Sequence, residues 1–127
     1  MNIIVNQAFP VGQVVATSRI LYWHWGIVTD GWVNGEQMVI SCSNLRKMVV
    51  EEPISIFGQG FSIEPRSFSS ALPVQEILMR ARQKIGQTYD LLNWNCEHFF
   101  YDACGLPKQS PQLVQLVICA LGLLSCR

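Results

Sequence analysis

Charge is scarce in this chain: 14% of its 127 residues are Asp, Glu, Lys or Arg, against about a quarter in an average soluble domain. Nine Lys+Arg balance nine Asp+Glu, and the cations are scattered, with none before Arg19. A balanced chain without a basic run offers no electrostatic footprint for a phosphate backbone, so nucleic acid is excluded as the main partner. The only early apolar run is Ile3-Ile4-Val5, which lacks the charged and apolar regions of a signal peptide. The longest apolar or small run, Leu116 to Leu124, is far short of the roughly 20 residues that cross a bilayer. Histidine is rarer still, at two, and the five cysteines (Cys42, Cys96, Cys104, Cys119, Cys126) include no C-x-x-C pair. Neither a zinc ligand set nor a disulfide framework follows, and a reducing, cytoplasmic setting is the simpler expectation. Gly58-Gln59-Gly60 stands alone without a following helix, so no phosphate-cradling loop is read and no cofactor or metal is expected.

What the chain does have is apolar residues, half of its length, enough for the core of one domain spanning 1–127. Residues 13–33 are rich in Val, Ile, Tyr and Trp, and Ile20 to Val28 reads as a buried strand. Asp30-Gly31 and Asn34-Gly35 are both turn formers, Gln37 to Ser41 reads as the returning strand of a hairpin, and Lys47 to Glu51 as a third strand. Pro53 to Leu72 reads as an irregular connection with a short strand near Phe61-Ser62-Ile63. Apolar positions at helical spacing predict a helix from Pro73 to Ile85, with Ser70 as its cap and Gly86 after its end. A second runs from the Asn95 cap to Gly105, and a third, apolar helix covers about 111–124 after Ser110-Pro111. Strands first and helices afterwards argue for an α+β domain.

A nucleophilic thiol needs a lowered pKa, a base within reach and donors for an oxyanion. Cys96 is the best placed of the five, because the first turn of a capped helix presents free N–H groups and the positive end of the dipole. The alternative is a small buried core residue. Of the two histidines, His98 lies about 200° around the helix from Cys96 and reads as a buried structural group. His24 is the candidate base, on a strand face shared with Tyr22 and Gly26, with Trp23 and Trp25 on the other. Tyr22 reads either as an oxyanion donor or as core. Hairpin parity puts Ser41 on the face of His24, making it the candidate third group, although a two-residue turn would leave it about 13 Å along the strand. A longer loop would bring it directly opposite.

Gly86, Tyr89, Leu91 and the run Asn95-Cys96-Glu97-His98-Phe99, together with Tyr22-Trp23-His24-Trp25-Gly26-Ile27-Val28 ahead of them, resemble the two motifs of the lecithin:retinol acyltransferase (LRAT)-like, or H-box/NC, family. Val49 to Pro53 is similar to a segment of its bacterial members, and the resemblance covers about residues 10 to 107. It implies a circularly permuted papain-like fold, in which an antiparallel sheet carrying the histidine packs on a helix with the cysteine at its N-terminus. It also implies a thiol-dependent acyltransferase or phospholipase A that takes an acyl group from a phospholipid as a thioester. By this resemblance Cys96 is the nucleophile and His24 the base, with Tyr22 assisting at the oxyanion. Vertebrate members carry a second histidine where Ser41 stands, and the long C-terminal anchor of several animal members is cut short. The remaining apolar helix reads either as a packed core helix or as a contact with a membrane surface. Two other functions fit the same residues: a cysteine peptidase or amidase of the permuted papain-like superfamily, and a non-catalytic interaction module.

Overall fold

The computed structural model describes residues 8–68, 70–92, 94–106 and 111–112. Five strands form one antiparallel sheet: β1 (Val14–Ser18), β2 (Trp23–Val33), β3 (Glu36–Ser43), β4 (Met48–Pro53) and β5 (Ile63–Arg66), in the order β4-β3-β2-β1-β5. The helices are α1 (Ile54–Gly58), α2 (Val74–Gln83) and α3 (Cys96–Ala103). This is an α+β architecture.

The central hairpin closes as its turn residues dictate. Asn34 and Gly35 take φ of 50° and 81°, the left-handed pair that a tight two-residue turn requires, and Val33 faces Glu36 across it. Farther along, Thr29, Asp30 and Gly31 stand opposite Met38 alone, a bulge that advances the register of β2 on β3 by two residues. The Thr29 hydroxyl helps to close it, accepting from the Gly31 N–H at 3.0 Å and donating to the Glu51 carboxylate at 2.7 Å.

Three local expectations are corrected. The apolar stretch through Ile20 and Leu21 is a turn between β1 and β2, not part of a buried strand: Ile20 has φ of 72° and the Arg19 N–H donates to the Tyr22 carbonyl at 2.9 Å. Side-chain preference alone does not reveal which residues of an apolar run lie outside the ladder. The connection after Pro53 begins with the short α1, so a helical turn separates β4 from β5. Ser70 does not cap α2, whose N-cap is Pro73; the Ser70 hydroxyl donates instead to the Cys104 carbonyl at 2.9 Å and accepts from the Leu72 N–H.

Strand alternation divides the core between the two faces of the sheet. Ile27, Ile40, Cys42 and Val49 pack under α2 and α3 against Leu78, Phe99 and Phe100. Val15, Val28 and Val39 pack on the other face against Phe57 of α1. A side chain at Gly26 would put a Cβ 2.5 Å from Val39 Cγ1 and 2.8 Å from Phe57 Cε1, so glycine is what lets α1 lie this close to β2. Of the apolar helix expected over 111–124 only Pro111 and Gln112 are described, and the rest lies outside the described residues. Among the described residues no helix is long and apolar enough to cross a membrane.

Candidate active site

Asn95 organises the start of α3. Its side chain accepts from the Glu97 and His98 N–H groups at 2.9 and 3.2 Å, and His98 Nδ1 accepts from the Asn95 N–H at 2.9 Å. This reciprocal cap accounts for the buried His98, which holds the helix start and is not placed as a base. It also uses two of the three first-turn donors, leaving the Cys96 N–H as the one not taken by Asn95. Asn95→Ala is expected to lower stability by about 1–2 kcal/mol, measured as a reduced midpoint in urea.

The register of β2 on β3 runs from Val33/Glu36 to Ile27/Ile40 and stops, although both strands continue. Beyond that point the Trp23 carbonyl and Trp25 N–H share one edge of β2. The Cys96 thiol lies 3.8 Å from the Trp23 carbonyl, and the Trp25 N–H is near enough to favour its ionised form. The nucleophile candidate therefore lies against the main chain beside His24. It is buried, and burial pushes its pKa up to about 12 despite the Trp25 and Cys96 N–H groups and the Arg19 guanidinium, while the neighbouring Glu97 carboxylate adds to the rise. The expectation of a thiolate favoured by the helix start is corrected: desolvation outweighs the dipole, and the resting thiol is neutral.

His24 points to the α1 face, its ring centroid 5.0 Å from that of Phe57, whereas Trp25 points to the α3 face and meets Phe100 at 5.3 Å. Ser41 Oγ lies 3.2 Å from His24 Nε2. The two-residue bulge explains this approach, because it preserves the parity that puts both side chains on one face while moving Ser41 level with Gly26. Neither the 13 Å separation nor a longer turn is what the chain adopts. Burial, with the Arg19 charge adding to it, lowers the His24 pKa to about 3, so the imidazole is neutral. Among the described residues no hydrogen bond joins the thiol to the imidazole.

Tyr22 lies in the β1–β2 turn, half-buried, its hydroxyl hydrogen-bonded to Asn44. Burial and then the nearby Cys96 raise its pKa, so the phenol stays protonated. Two further residues reach this region without a sequence signal strong enough to single them out. Arg19 donates to the Phe57 carbonyl at 2.7 Å and electrostatically couples to Cys96, His24 and Tyr22. Gln112 clasps the main chain of Trp23, accepting from its N–H at 2.8 Å and donating to its carbonyl at 3.0 Å, while its own N–H donates to the Glu97 carboxylate at 2.9 Å. A polar residue just after Ser110-Pro111, ahead of an apolar stretch, is the trace that Gln112 leaves in the sequence. Cys42 and Cys104 are buried, with pKa values raised by burial to about 12 and about 11.

The structure thus places a buried thiol at a helix start beside the strand that bears a serine-held imidazole, on an antiparallel sheet. The profile of the Lecithin retinol acyltransferase family matches residues 7–105, and the chain belongs to that family. A search of curated proteins finds no match. The family domain points to acyltransferase- or phospholipase-type chemistry.

Proposed function

We propose that this chain is a thiol-dependent acyltransferase or phospholipase A that removes an acyl group from a phospholipid through a thioester on Cys96. The placement of the Cys96 thiol against the main chain beside His24 is the observation that carries this reading. The family's permuted papain-like arrangement is part of the same proposal. His24 Nε2 pairs with the Ser41 hydroxyl, and the reading takes the Nε2–H tautomer, in which Ser41 accepts and Nδ1 is the nitrogen that takes a proton.

The chemistry then runs in two halves. His24 rests against Phe57 on the α1 face, so the reading requires that entry of the acyl ester bring the ring and the thiol together; Nδ1 then takes the Cys96 proton and the sulfur attacks the carbonyl carbon. The Cys96 N–H, with the Tyr22 hydroxyl, stabilises the oxyanion. Collapse breaks the ester C–O bond, and the imidazolium returns its proton to the departing lysolipid oxygen. An acceptor hydroxyl, amine or water then gives its proton to His24 and attacks the thioester, releasing the acyl product and restoring the thiol. A serine steadies the ring tautomer but supplies no negative charge to stabilise the imidazolium, so proton transfer is slower than with a carboxylate partner.

Intact-protein mass spectrometry after incubation with a soluble short-chain phosphatidylcholine tests this. A single acyl mass mapping to the Cys96 peptide is expected, with lysolipid in solution. No adduct and no lysolipid would overturn the lipid reading. In that case hydrolysis of amide substrates by the wild type but not by Cys96→Ala directs the search to amide bonds, and no turnover of either substrate class indicates a non-catalytic interaction module.

A further inference from the structure

Three turns gather at the end of the sheet where Cys96 and His24 lie. They are 19–22 between β1 and β2, 44–47 between β3 and β4, and the turn closed by Asp90 and Trp94 ahead of α3. The first two meet through Tyr22 and Asn44, the Tyr89 N–H just ahead of the third donates to the Lys47 carbonyl at 3.0 Å, and Asn95 Nδ2 holds the third to the start of α3 through the Leu91 carbonyl at 3.0 Å. Turn tips normally carry Gly, Asn, Asp or Ser, for the backbone angles and local hydrogen bonds those residues supply. These three carry aliphatic side chains turned to solvent, with Leu21 92% exposed, Ile20 81%, Leu92 65%, Leu45 60% and Leu91 50%. Ile20 does so at φ of 72°, which a β-branched residue adopts only with strain. Burial in the core explains none of these positions, and exposed apolar clusters of this kind mark contacts with membranes or partners.

The charges on the same turns decide which. Arg19, Arg46 and Lys47 are cations; the nearby carboxylates are Glu52, buried and held by Arg46 at 3.2 Å, and Asp90, which accepts from the Leu92 N–H. Aliphatic tips with a cationic rim match the acyl boundary and phosphates of a lipid surface. We propose that this end of the molecule docks on an anionic phospholipid bilayer, with the leucine and isoleucine tips entering the headgroup–acyl boundary and Arg46 and Lys47 meeting lipid phosphates. The inference rests on the phospholipid reading above for its choice of lipid as occupant. Docking here would bring an acyl ester to a thiol that is otherwise buried, directly from the bilayer.

Flotation with vesicles of phosphatidylcholine and phosphatidylserine tests the surface, using the full chain, the double variant Leu21→Asp/Leu92→Asp and the control Met79→Asp on the outer side of α2. The wild type and the control are expected to float together, and the double variant to partition at least about tenfold less, since each exposed leucine contributes transfer free energy and each aspartate is repelled by the anionic surface. Added salt is expected to weaken wild-type binding. The double variant should still form the Cys96 adduct from a soluble short-chain phosphatidylcholine at the wild-type rate, which separates docking from chemistry and shows that it has folded. Equal flotation of the double variant, or no flotation of the wild type, overturns the docking surface. Flotation without any adduct from the soluble lipid leaves the surface standing and overturns the catalytic reading.

Discussion

Cys96→Ala is expected to abolish acyl transfer, and His24→Asn to slow formation of the Cys96 adduct by about a thousandfold. The size of the second effect follows from the resting state of the thiol. With its pKa pushed up to about 12 by burial, only about one thiol in 10⁵ is ionised at neutral pH, so an unassisted attack draws on a very small population. A base that removes the proton as the bond forms bypasses that population. Single-turnover acylation followed by quenched mass spectrometry distinguishes the two routes through their pH dependence. In His24→Asn the rate should climb close to tenfold per pH unit on the alkaline side, tracking thiolate. In the wild type it should stay nearly level across neutral pH, because His24 remains neutral and able to accept a proton there. Matching rates and matching pH profiles for the two proteins would remove His24 from the chemistry.

Mild acid should destabilise the fold through the same histidine. His24 binds its proton at about pH 3 in the folded chain and near the ordinary 6.5 when unfolded, so between these values the unfolded state takes up a proton that the native state refuses. The stabilisation is therefore complete above about 6.5 and is lost as pH falls towards 3. Its full extent is on the order of several kcal/mol, by the linkage of one pKa unit to about 1.4 kcal/mol. The carboxylates of Asp30 and Glu51, held low by Arg82, lose their protonation advantage only in a more acidic window, so the upper part of the range isolates the histidine. Urea midpoints measured from neutral pH downwards should fall steadily for the wild type. His24→Gln should flatten that slope above the ordinary Glu value of 4.5. An unchanged slope in the variant would show that the imidazole is not the group being charged.

The two histidines show how far each kind of reasoning reaches. His98 was legible as a structural group because its place two residues after Cys96 fixes its direction on a helix, and the structure puts it in the reciprocal cap with Asn95. His24 was legible as a strand residue with Ser41 on its own face. The contact between them needed a bulge built from Thr29, Asp30 and Gly31 and held from outside by Glu51 of β4. No pattern within the hairpin announces that partner. Arg19 and Gln112 are similar: they reach the site from turns and termini, with Gln112 joined to Trp23 across a separation of 89 residues.

From the sequence by itself came the features encoded within a few neighbouring residues. These are the left-handed pair Asn34-Gly35, the Asn95 start and Gly105 stop of α3, and the period-two alternation that assigns His24 and Ser41 to one face. Turn and cap geometry is satisfied by local hydrogen bonds, and a bulge of two residues leaves strand parity intact. Tertiary structure alone decided the 3.2 Å approach of Ser41 to His24, the neutral state of Cys96, the insertion of α1 over Gly26, and the exposure of Ile20 and Leu21. Register and desolvation are set by segments distant in the chain. The same apolar run can be buried in a ladder or left at its tip, and the same helix-start thiol can be ionised in water or held neutral beneath a sheet edge.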